Sequence, residues 1–518
     1  DAGAEDRPEP GAKPPEAATR AKSASPTLKD SSGAEKPHPA TSSGNGVASR
    51  ARSEERAPAK EGKAAASSDS RDEPRPTAEL SAKLRAVVEA AALLPDPDPR
   101  QHVTVALLGH SGVGKSVLFG ALLRVAGAWD ARAFEKYAGQ VQKAGRGGAA
   151  TAETRIERCD TESRRFTLLD PPGQKRNVAQ AWSAVVQSDI AVLVVSAGAG
   201  EFEAGIARGG QTREHAALAK SAGVESLIVA VNKMDGSGDG EGKWSNLRYE
   251  EVRAEVWTAL RSVGFHDDDI TFVPVNAATA DNLGVEEDED ECEACSGWYS
   301  GGALLEVMET ASIPARAAQG PLQVSVTGRE KSGNVTIVSG RVEQGELAAG
   351  MPVGIVPSGP ESGVSSVQVN GKEVRRAQAG EYVQLRLLGG QPSVGQALCG
   401  LDEPLRSAKK FKAQLRFVDM SDEPPVVTPG FRCILHLHQV TEECEVSRLI
   451  ETVDPRTKKR EASPKIARAP MVALCVLVLC SGRDVPVDSG TGRFARFSLR
   501  TDGGTIAVGK VAELPKLK

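Results

Sequence analysis

The sequence predicts an α/β domain followed by two β-barrels, behind an extension that builds no core. Three observations carry this expectation. Apolar strands alternate with helices over residues 100–315. From about Pro321 that alternation gives way to short strands separated by Gly, Asn and Pro. Before Glu79 there is no Phe, Tyr, Trp, Ile, Met or Cys.

Residues 1–79 are mostly Ala, Ser, Pro, Glu, Lys and Arg. They cannot bury enough apolar surface to offset the entropy of ordering their backbone, so disorder is expected. Residues 80–99 read as a short helix, "LSAKLRAVVEAAALL", and a linker, "PDPDPR". "HVTVALLG" is apolar nearly throughout, as a parallel strand covered on both faces should be. The helix "KSVLFGALLRVAG" follows a glycine-rich turn. The strands "RFTLLD", "DIAVLVVSAG", "SLIVAVNKMD" and "TFVPVNA" then alternate with the helices "TREHAALAKSAG" and "RYEEVRAEVWTALRSVG", and "ALLEVMETA" closes the unit at 315. Strands and helices of these lengths specify a mostly parallel sheet wrapped by helices. "LQVSVTGR", "GNVTIVSGRV", "MPVGIV" and "EYVQLRLL" predict a β-barrel over 316–404. "KFKAQLRFVD", "FRCILHLH", "CEVSRLIETV", "PMVALCVLVL" and "GTIAVGKVAEL" predict a second over 405–518.

Bulk properties exclude several classes. A net charge of −5 over 518 residues leaves no global basic footprint for holding nucleic acid by charge alone. Eight irregularly spaced cysteines suit a reducing compartment better than a disulfide scaffold. Cys292 and Cys295 lie in the acidic "EEDEDECEAC", which reads as a solvated insertion rather than a metal site. The longest apolar run, Met471 to Cys480, is short and β-branched, hence a strand. No run reaches membrane-spanning length and no signal segment opens the sequence, so a soluble, cytoplasmic chain without a membrane partner is expected.

The chemistry concentrates at strand ends. Gly109, His110, Ser111, Gly112, Val113, Gly114, Lys115 and Ser116 spell G-x-x-x-x-G-K-S between a strand and a helix, and Val117 continues the helix. Glycines there let successive backbone N–H groups surround a β-phosphate. Lys115 should reach the β/γ-phosphates and Ser116 should ligate Mg²⁺, with the helix dipole adding to the field. Asp170 ends a later strand and, with Gly173, makes D-x-x-G. The carboxylate would hold Mg²⁺ through water and the Gly173 N–H would detect the γ-phosphate. Asn232, Lys233 and Asp235 belong to N-K-M-D after another strand. Asp235 can accept both N–H donors of a guanine edge, Lys233 can lie along the base and Asn232 can brace the loop. Asn276, Ala277 and Ala278 occupy the last base-contacting loop, where a small residue offers its N–H to the guanine oxygen. The predicted fold is thus a P-loop GTPase domain carrying GTP or GDP and Mg²⁺, ahead of two barrels.

The order of these motifs, with "GEFEAGIARGGQTREHAALAKSAGVESLIVAVNKMD" and "KWSNLRYEE", resembles the translational GTPases of the eukaryotic elongation-factor-1-alpha superfamily, and most of all its release-factor branch. The resemblance covers about residues 100–518. It implies a ribosome-stimulated GTPase that delivers the stop-codon-reading release factor to the ribosome. "GRFARFSLR" matches a segment that in this family holds the release factor, which makes Arg493 and Arg500 candidate contacts; Phe494 and Phe497 fit a barrel core equally well. Extensions in this family can recruit a poly(A)-tail-associated protein, but no apolar anchor cluster marks one here.

Two departures stand out. The first switch is short, and an ungapped count back from Asp170 puts Thr151 where the family's Mg²⁺- and γ-phosphate-binding threonine belongs. Gln174 stands where the family usually has histidine. Glutamine is neutral, donates and accepts, and orients attacking water in small GTPases. Pro171 holds Asp170 extended. Three alternatives share this architecture: a ribosome-rescue GTPase, an elongation factor delivering aminoacyl-tRNA, and a GTP-gated scaffold with weak hydrolysis.

Overall fold

In the computed structural model, residues 78–146, 154–207, 209–237, 244–284, 294–295, 297–332, 335–418, 425–490 and 492–515 are described. Thr151, Cys292 and the extension before Ala78, with its expected disorder and poly(A)-linked partner, lie outside them.

The α/β domain runs β1 (Gln101–Leu108), α2 (Lys115–Val125), α3 (Ala131–Arg146), β2 (Arg155–Asp160), β3 (Arg164–Asp170), α4 (Val178–Gln187), β4 (Ile190–Ser196), α5 (Glu201–Ile206), α6 (Gln211–Ala222), β5 (Ser226–Asn232), α7 (Asn246–Val263), β6 (Ile270–Pro274) and α8 (Leu304–Thr310), after α1 (Ala78–Ala91). The six-stranded sheet has the order β2-β3-β1-β4-β5-β6. All neighbours are parallel except β2 and β3. Every residue of β4 is buried, as its continuous apolar run requires of a central strand. Helices α4, α6 and α7 pack Trp182, Leu218 and Val256 on one face. Helices α2, α3 and α8 pack Phe119, Tyr137 and Met308 on the other.

The elements expected from the sequence include neither the helices α3, α4 and α5 nor the edge strand β2. β2, "RIERCD", buries one residue in six, so it carries no apolar run to betray it.

The helix α1 belongs with the middle domain rather than with a free linker. Ala91 joins that domain's core, and Leu84 and Val88 cover Gly363 and Gly350 so closely that a Cβ at either glycine would meet them at 2.5 or 2.2 Å. The middle domain comprises β7 (Gln323–Ser332), β8 (Val335–Gln344), β9 (Glu346–Ala348), β10 (Pro352–Val356), β11 (Glu361–Val369), β12 (Lys372–Val374), β13 (Arg376–Gln378), β14 (Tyr382–Leu388) and β15 (Ala397–Cys399). Its main sheet runs β10-β15-β7-β8-β14-β11-β12, and β10 meets β11 across only three residue pairs.

The C-terminal domain comprises β16 (Arg406–Ala408), β17 (Lys410–Phe417), β18 (Phe431–Leu437), β19 (Val440–Val453), β20 (Arg460–Ala462), β21 (Val472–Leu479), β22 (Val485–Val487), β23 (Arg496–Thr501) and β24 (Gly504–Glu513). Strands β18-β23-β24-β17-β21-β19 form a ring closed by β18 pairing β19 from Phe431↔Val446 to Leu437↔Val440. This is a closed six-strand barrel. The apolar run on β21 is buried at alternate residues only, because one face of a barrel wall points inward.

The three domains meet on buried charge. Asp189, between α4 and β4, accepts from Arg341 at 2.5 Å, Arg316 at 2.9 Å and the Thr104 N–H at 3.0 Å, with Arg493 at 3.3 Å. Glu343 of the middle domain pairs with Arg341 at 2.9 Å and with His438 of the barrel at 2.9 Å, and Arg493 lies 3.5 Å away. Arg493 also donates to the carbonyls of Val186 and Ser188. The guanidinium expected at a partner-binding surface is therefore engaged inside this chain. Phe497 lies in the barrel core, and Phe494 is buried with its ring stacked on His438 at 4.8 Å. Arg500 sits on β23 opposite Ile434 of β18.

Candidate nucleotide site

β1 ends in a loop whose glycines adopt left-handed backbone: φ is 131° at Gly109, 88° at Gly112 and 100° at Gly114. Space matters as much as torsion. A Cβ at Gly109 would lie 2.2 Å from the Val194 carbonyl oxygen, and one at Gly114 would lie 2.3 Å from the Asn232 amide nitrogen. The loop then opens α2 at Lys115, presenting unsatisfied N–H groups to the concavity.

Lys115 folds back across this loop and donates to the carbonyls of Gly109 at 2.9 Å and His110 at 2.7 Å. Burial lowers its pKa to about 8, with Asp170 offsetting part of the effect. Desolvation, then the Lys115 charge, also lowers the pKa of His110. Gly173 lies against the ammonium: a Cβ there would be 2.1 Å from Nζ. D-x-x-G needs its glycine here so that its backbone can approach the P-loop.

The Ser116 hydroxyl donates to Asp170 Oδ2 at 2.6 Å. Asp170 Oδ1 is buried without a hydrogen-bond partner. Desolvation raises the Asp170 pKa, opposed by the Ser116 hydrogen bond and then by Lys115. A buried carboxylate oxygen left unpaired beside a hydroxyl is costly unless a cation joins it. Two oxygen donors of this kind fit a hard divalent cation. Gln174 follows Gly173 in extended conformation, and its carbonyl accepts the Asn177 N–H at 2.8 Å.

Asn232 ties the phosphate side to the base side. Its amide donates to the Val113 carbonyl at 2.8 Å, and its oxygen accepts the Ala277 N–H at 2.9 Å. Asn276 accepts the Ala278 N–H at 3.1 Å, which shapes the same turn. Lys233 has φ 63° and pairs with Glu201 at 2.7 Å. Together with exposed Asp235, these residues line a cavity of about 470 Å³ that reaches Val117 and Gly114. The base-side residues Asn232, Lys233, Asp235, Asn276, Ala277 and Ala278 thus line one cavity, and Asn232 links it through Val113 to the loop that holds Lys115 and Ser116.

Three supporting residues are absent from the sequence reading. His215 on α6 accepts the Gly109 N–H through Nδ1 at 3.0 Å, and burial drives its pKa down to about 3, so the ring is a neutral acceptor. Gln211 accepts the Ser111 N–H at 3.3 Å, and Glu201 positions Lys233. The signal for His215 and Gln211 is the stretch "QTREH", but a glutamine and a histidine four apart show only that they share a helix face.

Residues 100–314 match the model of the elongation factor Tu GTP binding domain family, and residues 410–512 match that of the GTP-eEF1A C-terminal domain-like family. The eukaryotic peptide chain release factor GTP-binding subunit of Ogataea pini is 32% identical over 436 residues, which cover 80% of this chain and 57% of that protein. Residues 100–314 thus carry a GTP-binding domain of the elongation factor Tu type, in a chain similar to release-factor GTP-binding subunits. It spans 57% of the Ogataea pini protein's length and 59% of the corresponding Candida albicans protein, which is also 32% identical over 442 residues covering 80% of this chain. Among solved structures, the Ski7 GTPase-like domain of S. cerevisiae bound to GTP aligns with TM-score 0.63 at 14% identity, over 80% of this chain and 97% of that one. That likeness shows a shared fold. Among the described residues, no helix of this chain is long and apolar enough to cross a membrane.

Proposed function

We propose that this chain binds and hydrolyses GTP during translation termination, carrying a stop-codon-reading release factor to the ribosome. The observation that supports the reading is the set of contacts joining Lys115 to Gly173, Ser116 to Asp170 and Asn232 to Val113 around one P-loop, in a chain similar to release-factor subunits over 80% of its length.

The phosphates of GTP would displace the Lys115 ammonium from the Gly109 and His110 carbonyls, replacing two neutral acceptors with anionic ones. Ser116 and Asp170 would hold Mg²⁺, which supplies charge neutralisation at the β- and γ-phosphates. Asp235 would select guanine, with Lys233 kept beside the base by Glu201. Thr151 would close over the γ-phosphate. Gln174 would orient the attacking water through its amide, and the Gly173 N–H would follow the γ-phosphate. The middle domain acts as a second barrel, and the two barrels form the body that holds the release factor. Arg500 serves as a direct contact there, and Arg493 acts by fixing the domains.

Single-turnover GTP hydrolysis, with and without ribosomes plus the release factor, tests this reading. The expected result is hydrolysis that rises when both are added. Gln174→Ala should lower it on the order of 10²-fold with GDP affinity unchanged. Tight GTP binding with no hydrolysis under either condition would leave only a GTP-gated adaptor.

A further inference from the structure

The C-terminal barrel holds a pair of thiols that the nucleotide chemistry does not use. Cys433 on β18 and Cys444 on β19 are directly opposed in the antiparallel register. Their sulfurs lie 3.6 Å apart, in contact but unbonded, and both residues are buried. Cross-strand neighbours of this kind have backbone separations inside the range a disulfide spans, so rotation of the side chains suffices to bring the sulfurs to bonding distance. The two strands join through His438 and Gln439, and that tip touches the other domains: His438 meets Glu343 and Gln439 accepts from Ser183.

We propose that Cys433 and Cys444 form a reversible disulfide when a peroxide reaches the barrel. The Cys433 sulfur, as thiolate, attacks one peroxide oxygen and becomes a sulfenic acid. The O–O bond breaks, and the departing hydroxide takes up a proton as water. The Cys444 thiol then attacks the sulfenic sulfur, its proton leaves with the hydroxyl as a second water, and the S–S bond forms. Two thiols lose two electrons, and one peroxide is reduced to two waters. Cys433 acts first because Cys444 is the more enclosed of the two, and because its hydrogen-bonded contact with the Cys433 sulfur, followed by desolvation, keeps the Cys444 thiol protonated. A buried pair admits a molecule as small as hydrogen peroxide more readily than a peptide disulfide. The link joins the two strands that carry the tip to its neighbours, so it stiffens the hairpin holding the barrel to the rest of the chain. Neither step involves bound nucleotide, so the proposal stands apart from the termination reading.

The test uses the full chain. Trypsin releases Cys433 to Arg448 as one peptide, with these two residues as its only cysteines. After hydrogen peroxide treatment, quenching and digestion without reductant, that peptide should be lighter by two hydrogens and should refuse alkylation. Dithiothreitol should restore two alkylation sites. The thermal midpoint should rise by a few degrees in the oxidised protein, and Cys433→Ser should show neither change. Both thiols still alkylating after exposed Cys480 has been fully oxidised would overturn the proposal. So would linkage of either cysteine to Cys475 or Cys480, or their conversion to sulfinic acids without linkage.

Discussion

Asp170 and Asp189 are both aspartates buried at strand ends of the central sheet, with 2% exposure each, yet their environments are opposite. Burial raises the Asp170 pKa, and a serine hydroxyl and a lysine engaged elsewhere only partly offset it; one of its oxygens has no partner. Burial also acts on Asp189, but Arg341, Arg316 and Arg493 outweigh it and hold the carboxyl well below its usual range. Burial alone does not decide a carboxylate's state; the count of cations around it does. At the junction each carboxylate is met by cations from more than one domain, as a structural joint should be. The nucleotide site is left incomplete, so a metal and a triphosphate gain free energy by finishing it.

The strongest way to break this contrast is Asp189→Ala. Three arginines would lose their shared anion, and the unfolding free energy should fall by about 3–5 kcal/mol in chemical denaturation. An unchanged midpoint would mean that the junction does not hold the domains. Acid titration probes the same joint. Burial, outweighed by Arg341 and the His438 hydrogen bond, leaves the Glu343 carboxyl at about 2 against an ordinary value of 4.5. A depressed carboxylate stabilises the fold above its unfolded value and loses that contribution as pH falls through the folded one. Stability should therefore decline from about pH 4.5 towards 2, and Glu343→Gln should flatten that slope.

On the nucleotide side, Asn232→Ala strands the Val113 carbonyl and the Ala277 N–H. A loss of about 1–3 kcal/mol in GDP binding is expected, measured by titration with a fluorescent analogue. The smallest effect should come from Thr505→Val. It removes one hydroxyl bond to Glu214 on α6, while the Thr505 N–H still donates to the same carboxylate. Thermal unfolding should register about 1 kcal/mol.

Legibility followed chain locality. The P-loop, D-x-x-G and N-K-M-D each sit in one short stretch at a strand end, so their chemistry could be read residue by residue. His215 and Gln211 could not be found that way, because each acts on a loop about 100 residues earlier. β2 was hidden by its polarity, and α1 looked like a detached helix because its apolar contacts are with strands far along the chain. Arg493 shows the same limit from the other side. "GRFARFSLR" was legible as a segment with a role, but its sequence does not say whether the guanidinium faces a partner or another domain.

Local pattern sets the nature of the elements: strand and helix alternation, glycine placement, the nucleotide motifs and the change to β-structure after Pro321. These depend on periodicity and on backbone torsions, which are properties of neighbouring residues. Packing of distant segments brings three arginines from a linker, the middle domain and the barrel onto Asp189, makes Asn232 bridge two loops, and sets Cys433 against Cys444. Charge pairing and thiol contact act through space over a few ångströms. Which distant residues come that close is fixed by packing, and no local pattern encodes it.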